Sequence, residues 1–358
     1  MSKEPIPIAD QVWDQSVLRG HKGPISVLAS HPSDPFVLAS GSDDFTARLW
    51  DYRTQKSVKC FLGPSLPVSS ICFDTKLPHV LHVSYNGQVL GFDIRKEGVL
   101  DREAASAISL GDITVEVNSI SMHQKERILV IADDEKVSVI DLLQTKTRLY
   151  SHFHSNIISK ASFRPGSAGE IASCAFDYRY CCWDYRTGKA KFSVDFSSLR
   201  WNDDSASCDG IPLTNPPFPH DFVFLDRGRQ SAVAMGDGSV CVISNADGGV
   251  LGRVQGHGGM VTNLDGNLVS EFVSAGVDKC VKVWTVGDTE SVGKGSITKL
   301  MSMATASEEM KVSMDVLAIC TMPHKINALS CAKNEAVLSK TILVGDTQGN
   351  VSVLQLKI

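Results

Sequence analysis

Short runs in which apolar and polar residues alternate recur along the whole chain, as in Ile25-Ser26-Val27-Leu28, Val68-Ser69-Ser70-Ile71 and Val351-Ser352-Val353-Leu354. The runs are rich in Val, Ile and aromatic residues and end at Gly, Asp, Asn or Pro, a pattern that predicts half-buried β-strands joined by tight turns. No long helical pattern interrupts them. The strands are also grouped. From Gly20 the chain reads GHKGPISVLASHP and then VLASGSDDFTARLWDYRTQKSV: a Gly-His signal, a strand, a strand of small residues, a turn and a Trp-Asp strand. The same order returns from His154 (HSNIISKASFRP, then IASCAFDYRYCCWDYRTGKA) and from Gly256 (GHGGMVTNL, then FVSAGVDKCVKVWT).

Spacing separates repetition from coincidence. His21 to Asp44 is 23 residues, His154 to Asp177 is 23 and His257 to Asp278 is 21. Each aspartate is followed six residues later by a tryptophan (Trp50, Trp183, Trp284) and preceded four residues earlier by a serine (Ser40, Ser173, Ser274). Weaker copies occupy the gaps, around residues 68–95, 117–142, 222–244 and 326–356, which makes seven. A four-stranded unit of about 40 residues cannot bury both of its faces alone, so seven of them are expected to pack radially into a closed ring. Ser16-Val17-Leu18, ahead of the first Gly-His, is expected to supply the outer strand of the last unit, bringing the two ends of the chain together.

These repeats resemble the WD-repeat β-propellers over essentially the whole length, with Trp50-Asp51 and Trp183-Asp184 as the Trp-Asp dipeptides. The resemblance implies an all-β, seven-bladed propeller in a single domain, residues 1–358. It also implies that the repeated His, Ser, Asp and Trp form one buried hydrogen-bond network per blade. His21, Ser40 and Asp44 copy the composition of a nucleophilic triad, but the set occurs three times, whereas an active site needs to occur once. Blades two, three, five and seven have Asn86, Asp134, Asp237 and Gln348 at the turn position and lack the full set, so they are expected to be looser.

Composition narrows the function by exclusion. The 358 residues are 43% hydrophobic and 21% charged, with 35 basic and 40 acidic side chains and a formal charge of −5. That balance argues against a general nucleic-acid or membrane-surface binder. There is no apolar run of about 18 residues that would span a bilayer. The ten cysteines include no CxxC pair, and MSKEPIPIAD has no apolar leader core, so reduced thiols and a location in the nucleus, the cytoplasm or both are expected. Phosphate-loop, nucleophile-elbow, HExxH and dinucleotide fingerprints are absent from the sequence. His152-Phe153-His154 has a spacing that could ligate zinc, but His154 belongs to a blade network, so neither a metal nor a cofactor is expected. Cys181-Cys182 reads as packed thiols, and Asn350-Val351-Ser352 as an idle glycosylation acceptor.

What remains is three turns of one wording: Asp51-Tyr52-Arg53, Asp93-Ile94-Arg95 and Asp184-Tyr185-Arg186. Equivalent turns place their arginines on one rim, and a guanidinium fork suits bidentate contact with a partner's carboxylates. With Ser40-Gly41-Ser42, Ser173-Cys174-Ala175, Asp44 and Asp177, the wording resembles the box of WD-repeat substrate receptors of cullin-RING ubiquitin ligases. It departs from that box at Ala39 and Ala172, where a larger aliphatic residue is usual, and at Tyr52 and Tyr185. A narrower likeness to a ligase-associated propeller adaptor is carried by His154-Ser155-Asn156-Ile157 and Ser162-Phe163-Arg164-Pro165. The resemblance implies a non-enzymatic, monomeric propeller within a complex, which binds the ligase's three-propeller adaptor through Asp51, Arg53, Asp93, Arg95, Asp184 and Arg186 and carries a client elsewhere. A general scaffold unrelated to ubiquitin is the other reading. Residues 196–219 and 286–316 break the repeat and read as mobile inserted loops, the first with Trp201 as a possible partner anchor.

Overall fold

The computed structural model of the chain describes residues 13–63, 66–85, 87–96, 106–108, 117–144, 146–150, 153–198, 215–266, 269–288, 312–332 and 341–356. Where the sequence alternates, the backbone is extended and each strand pairs antiparallel with the next. Blade one comprises β2 (Ile25–Ser30), β3 (Val37–Ser42), β4 (Thr46–Asp51) and β5 (Lys56–Leu62). Blade two comprises β6 (Val68–Phe73), β7 (Val80–Tyr85), β8 (Gln88–Asp93) and β9 (Ser106–Ile108); blade three, β10 (Ser119–Met122), β11 (Ile128–Ala132), β12 (Val137–Asp141) and β13 (Lys146–Tyr150). Blade four comprises β14 (Ile158–Phe163), β15 (Glu170–Ala175), β16 (Arg179–Asp184) and β17 (Lys189–Asp195). Blade five comprises β18 (Pro219–Leu225), β19 (Gln230–Met235), β20 (Ser239–Ser244) and β21 (Val250–Gln255); blade six, β22 (Val261–Gly266), β23 (Glu271–Gly276), β24 (Cys280–Asp288) and β25 (Val312–Thr321). Blade seven comprises β26 (Ile326–Cys331), β27 (Thr341–Asp346), β28 (Asn350–Leu356) and, as its outermost strand, β1 (Trp13–Arg19).

The first strands of the blades neighbour one another around the ring, from β2 through β6, β10, β14, β18, β22 and β26 back to β2. Side-chain acceptors on these inner strands bind the backbone of the next blade. Ser70 Oγ accepts from Ile120 N at 3.1 Å, Ser119 Oγ from Ala161 N at 3.3 Å, Asp221 Oδ2 from Leu264 N at 2.8 Å and Asp265 Oδ2 from Cys331 N at 2.8 Å. Lys160 Nζ, 2.6 Å from Asp221 Oδ1, adds an ion pair between blades four and five. Six blades also share a feature that alternation does not reveal. The pairing of the first two strands slips by one residue at Ser26, Ser69, Ser159, His220, Thr262 and Asn327, a β-bulge that increases the local twist.

The core lies between blades. Seven clusters of buried apolar side chains occupy the seven junctions, so every sheet is covered on both faces. Trp50, Trp183 and Trp284 are among the largest fully buried residues. Two glycines permit the closest approach. A Cβ on Gly41 would lie 2.3 Å from Val68 Cγ1 of blade two, and one on Gly345 would lie 2.5 Å from Ile25 Cγ2 of blade one.

The ends of both inserted segments belong to the fold, which corrects their expected bounds. Phe196 is fully buried and β18 starts at Pro219, because apolar residues at both ends of the first insertion pack into the core between blades four and five. In the second, β24 and β25 pair out to Asp288↔Val312, so residues 286–288 and 312–316 are strand. Residues 199–214, including Trp201, and 289–311 lie outside the described residues, as do Asn86 and His152.

The ring closes at β1 and β28, which pair along seven residues from Trp13↔Leu356 to Arg19↔Asn350, while Trp13 Nε1 donates to Ile319 O of blade six at 3.0 Å. Deleting residues 1–19 strips β28 of its partner and exposes an edge that pairs with other chains. The expected result is a mixture of oligomers and aggregate by light scattering, with a lowered melting temperature. A truncated chain that stays monomeric and equally stable would show that the ring does not depend on this seam.

Candidate functional site

In a four-stranded antiparallel blade, the turn from second to third strand emerges at the same end as the loop entering the blade, and the other two turns emerge at the opposite end. The molecule therefore has two rims, and each carries a different set of the residues singled out in the sequence.

The first rim carries the buried networks. In blade one, Trp50 Nε1 donates to Ser40 Oγ at 2.7 Å, Ser40 Oγ lies 2.7 Å from His21 Nε2, and His21 Nδ1 lies 2.9 Å from Asp44 Oδ2. Asp44 also accepts from Lys22 N at 2.9 Å and Thr46 N at 3.0 Å, which ties the entering loop to the turn. Blade four has His154 Nδ1 3.1 Å from Asp177 Oδ2, His154 Nε2 2.7 Å from Ser173 Oγ, and Trp183 Nε1 donating to Ser173 Oγ at 3.4 Å. In blade six the separations are 3.0 Å for His257–Asp278, 2.6 Å for His257–Ser274 and 2.8 Å for Trp284–Ser274. In all three turns the residue after the aspartate, Phe45, Tyr178 or Lys279, takes a left-handed φ of 67°, 67° or 64°. A bulky side chain is disfavoured there, so the hydrogen bonds on either side must hold the turn. The serine oxygen is engaged by both Trp and His, and Ser40, Ser173 and Ser274 are fully buried, out of a substrate's reach, so the geometry is that of structural networks.

Blades five and seven lack the full set but satisfy their turns with other residues. In blade five, Arg253 on β21 donates from Nη2 to Asp237 Oδ2 and from Nε to Ser239 Oγ at 2.9 Å. In blade seven the turn acceptor is Asp346, not Gln348: Asp346 Oδ1 accepts from Gln348 N at 2.8 Å and Asn350 N at 2.9 Å. In blade three, Asp133 Oδ1 takes Lys136 N at 3.1 Å. Any carboxylate that reaches the turn's N–H groups satisfies the same requirement, and a search for fixed His-to-Asp spacing misses these.

The three networks are not electrostatically equal. Burial opposes charge on His21, Asp44 favours it, and Arg48 disfavours it; the result is a lowered pKa. Position 181 is the blade-four counterpart of Arg48 and carries a cysteine. There burial is overcome by the Asp177 hydrogen bond and contacts to Cys181, and the His154 pKa rises to about 9. Asp44 is pulled down to about 2 against its own burial, by hydrogen bonds from Thr46, Lys22 and His21.

The second rim carries the Asp-x-Arg turns. Arg53 Nε and Nη2 donate to Asp51 Oδ1 and Oδ2 at 3.0 and 2.7 Å, and Arg95 holds Asp93 at the same distances. Both forks are thus closed on their own aspartates, where the sequence led us to expect forks open to a partner. Two residues of chain are the span at which a guanidinium can fold back onto its neighbour's carboxylate. Arg186 differs: Asp184 Oδ1 accepts its backbone N–H at 2.8 Å, while its guanidinium lies 3.5 Å from Glu126 Oε1 of blade three and stacks on Tyr185. The three arginine side chains remain 52%, 65% and 48% exposed. Tyr52 and Tyr185, the departures from the box, are buried and turn inward, and Tyr52 Oη donates to Pro35 O at 2.5 Å. The side chain between Asp and Arg is therefore core, whereas its two neighbours face the rim. Among the described residues there is no cluster of three or more His, Cys, Asp or Glu that could hold a metal ion.

Ring closure, seven four-stranded sheets and Trp-Ser-His-Asp networks make the chain a WD-repeat β-propeller, a fold that in general serves as a protein-interaction scaffold. Residues 13–51 and 248–285 match the model of the WD domain, G-beta repeat. The chain is similar to the WD repeat-containing protein 53 homolog of Dictyostelium discoideum, at 25% identity with 96% of this chain and 94% of that protein covered. It also matches the GATOR2 complex protein WDR24 of Gallus gallus, at 25% identity over 46% of this chain but only 24% of that protein. The crystal structure of the WD40 beta propeller domain of Doa1 superposes with a TM-score of 0.68, covering 95% of each chain at 17% identity, a likeness of fold alone.

Two outcomes follow for the network rim. Asp177→Ala leaves His154 and the N–H groups of Ser155 and Arg179 without their acceptor and should cost about 2–4 kcal/mol, while Gln348→Ala should cost far less; equal midpoints in urea titrations would refute the network's role. The pH dependence has a definite sign. His154 has a folded pKa above the unfolded value of about 6.5, so its stabilising contribution is full below pH 6.5 and is lost as pH rises through about 9. The stability gap between wild type and His154→Gln should therefore shrink between those limits, and a gap independent of pH would exclude a charged His154.

Proposed function

We propose that the chain is a non-catalytic interaction propeller of a cullin-RING ubiquitin ligase, acting as substrate receptor or adaptor in the nucleus, the cytoplasm or both. In this reading the ligase's three-propeller adaptor docks on the rim of the Asp-x-Arg turns, and a client is held at the network rim or by the insertions. The mechanism is positioning, which raises the client's effective concentration near the ubiquitin donor. The observation that carries the reading is the placement of Arg53, Arg95 and Arg186 on a single rim, exposed and held by their own turns and neighbours. A fork closed on its own aspartate is pre-oriented, so less rotamer entropy is lost when a partner's acceptors meet its remaining N–H groups. Arg53 is further fixed by lying 4.8 Å over the ring of Phe36, which is 40% exposed and offers apolar contact beside the charge. Similarity to relatives named for a WD-repeat protein and for a multi-protein complex supports assembly with other proteins.

Changing Arg53 and Arg186 together to alanine should abolish capture of the ligase adaptor by the tagged protein, since anchor arginines at interfaces typically account for a tenfold or larger share of affinity. Neither side chain is part of the core, so the melting temperature should move by no more than about 2 °C. A double variant that keeps both its fold and its adaptor, or a wild-type protein that never captures that adaptor, would transfer the assignment to a scaffold of another complex.

A further inference from the structure

Blades one and three end their first strands in the same way, and the comparison exposes an unfilled position. In blade one, His31 Nδ1 accepts the backbone N–H groups of Ser33 and Asp34, the ring packs edge-on against Phe73 of blade two at 4.9 Å, and Nε2 donates to Pro78 O of blade two at 3.0 Å. In blade three, His123 Nδ1 accepts from Lys125 N at 3.2 Å and Glu126 N at 3.0 Å, and the ring packs edge-on against Phe163 of blade four, also at 4.9 Å. With Nδ1 accepting twice, the proton of the neutral ring sits on Nε2. Among the described residues no acceptor reaches it. Where blade two supplies a carbonyl, blade four supplies Gly166, Ser167 and Ala168, which wall a groove with His123, Lys125 and Glu126.

The charges around this groove are uneven. Arg186 is the one of the three rim arginines whose fork is not closed on its own aspartate; its contact is Glu126, at 3.5 Å and with both side chains about half exposed. Lys125 is exposed and makes no ion pair among the described residues. Arg164, at the groove wall, is engaged with Glu170 and with the carbonyls of Gly228 and Asn245, so it belongs to the fold.

We propose that this groove is a seat for a carboxylate of an acidic segment in a partner protein, bound by His123 Nε2–H, the Arg186 guanidinium and Lys125, with Glu126 as the internal carboxylate it displaces. The proposal rests on the reading of the Asp-x-Arg rim as the docking face and ranks Arg186 above Arg53 and Arg95. An exposed pair at 3.5 Å is weak and readily exchanged, whereas a bidentate carboxylate on Arg186 with a second bond from His123 is charge-assisted on both sides. Burial lowers the His123 pKa, Glu126 raises it, and Arg186 and Lys125 lower it further. A bound carboxylate therefore raises it, and the ring reports on occupancy.

The test follows the Cε1–H resonance of His123, assigned by its loss in His123→Gln, while acetyl-tetraglutamate amide is titrated in at constant ionic strength. Acetyl-tetraglutamine amide and inorganic phosphate serve as controls. The resonance should shift and its titration midpoint rise with the glutamate peptide alone. Glu126→Gln should tighten binding severalfold and Arg186→Ala should weaken it roughly tenfold, both with unaltered melting temperatures. The proposal is overturned by a silent His123 at about 10 mM peptide, by an equal response to phosphate, or by affinities indifferent to residue 126. An adaptor captured by a protein whose His123 stays silent removes the seat and leaves the docking face. A responsive His123 in a protein that captures no adaptor removes the ligase reading and leaves the seat.

Discussion

Everything in this molecule depends on the pairing of β1 with β28. A blade has apolar side chains on both faces, so each needs a neighbour on either side, and the requirement is met for all seven only if the ring has no ends. The chain meets it by giving its first described strand to its last blade. The seam therefore draws on residues more than 330 positions apart, such as Trp13 and Leu356, and no stretch of sequence contains a complete blade seven. Such non-local contacts form late and slowly. Both rims, with their spacing and orientation, are consequences of that closure.

Within the ring, the design problem is polar. The turns between second and third strands lie at the rim and carry backbone N–H groups left unpaired by the sheet, which cost free energy wherever they are shielded from water unless an acceptor meets them. Three blades solve this with Asp, His, Ser and Trp in series, blade five with Asp237 and Arg253, and blades three and seven with a single aspartate one or two positions earlier than expected. The solutions differ in charge. In the same geometry, Asp177 raises the pKa of the buried His154, whereas burial and Arg48 lower that of His21.

The repeated spacing of His, Asp and Trp made the blade number legible in the sequence because it recurs locally; closure was read instead from the strand-like Ser16-Val17-Leu18 ahead of the first repeat, and the networks from the resemblance to WD repeats. What sequence reading missed follows no spacing that recurs from blade to blade. Arg253 lies 16 residues after Asp237, a span shared with no other blade. The folding back of Arg53 and Arg95 onto their own aspartates is a side-chain torsion, to which residue spacing is blind. The six bulges have no sequence mark of their own, since each places one more polar residue after the first residue of its strand, which looks like ordinary pattern. The groove beside His123 was invisible for a different reason: its signature is that Gly166-Ser167-Ala168 fail to supply what Pro78 supplies two blades earlier, and a shortfall has no motif.

The paired ends of the second insertion carry a consequence for how the ring tolerates change. β23 stops pairing with β24 at Thr285, yet β24 and β25 continue together to Asp288 and Val312, three rungs beyond the sheet. The two ends of the intervening chain are thus held at the distance of a strand pair by the hydrogen bonds of β24 and β25, with Val286 and Val312 buried in the core between blades five and six. The cost of closing a loop grows only with the logarithm of its length. Changes in the length of residues 289–311 therefore cost the propeller little, because the spacing of Asp288 and Val312 is fixed by the strands that end there.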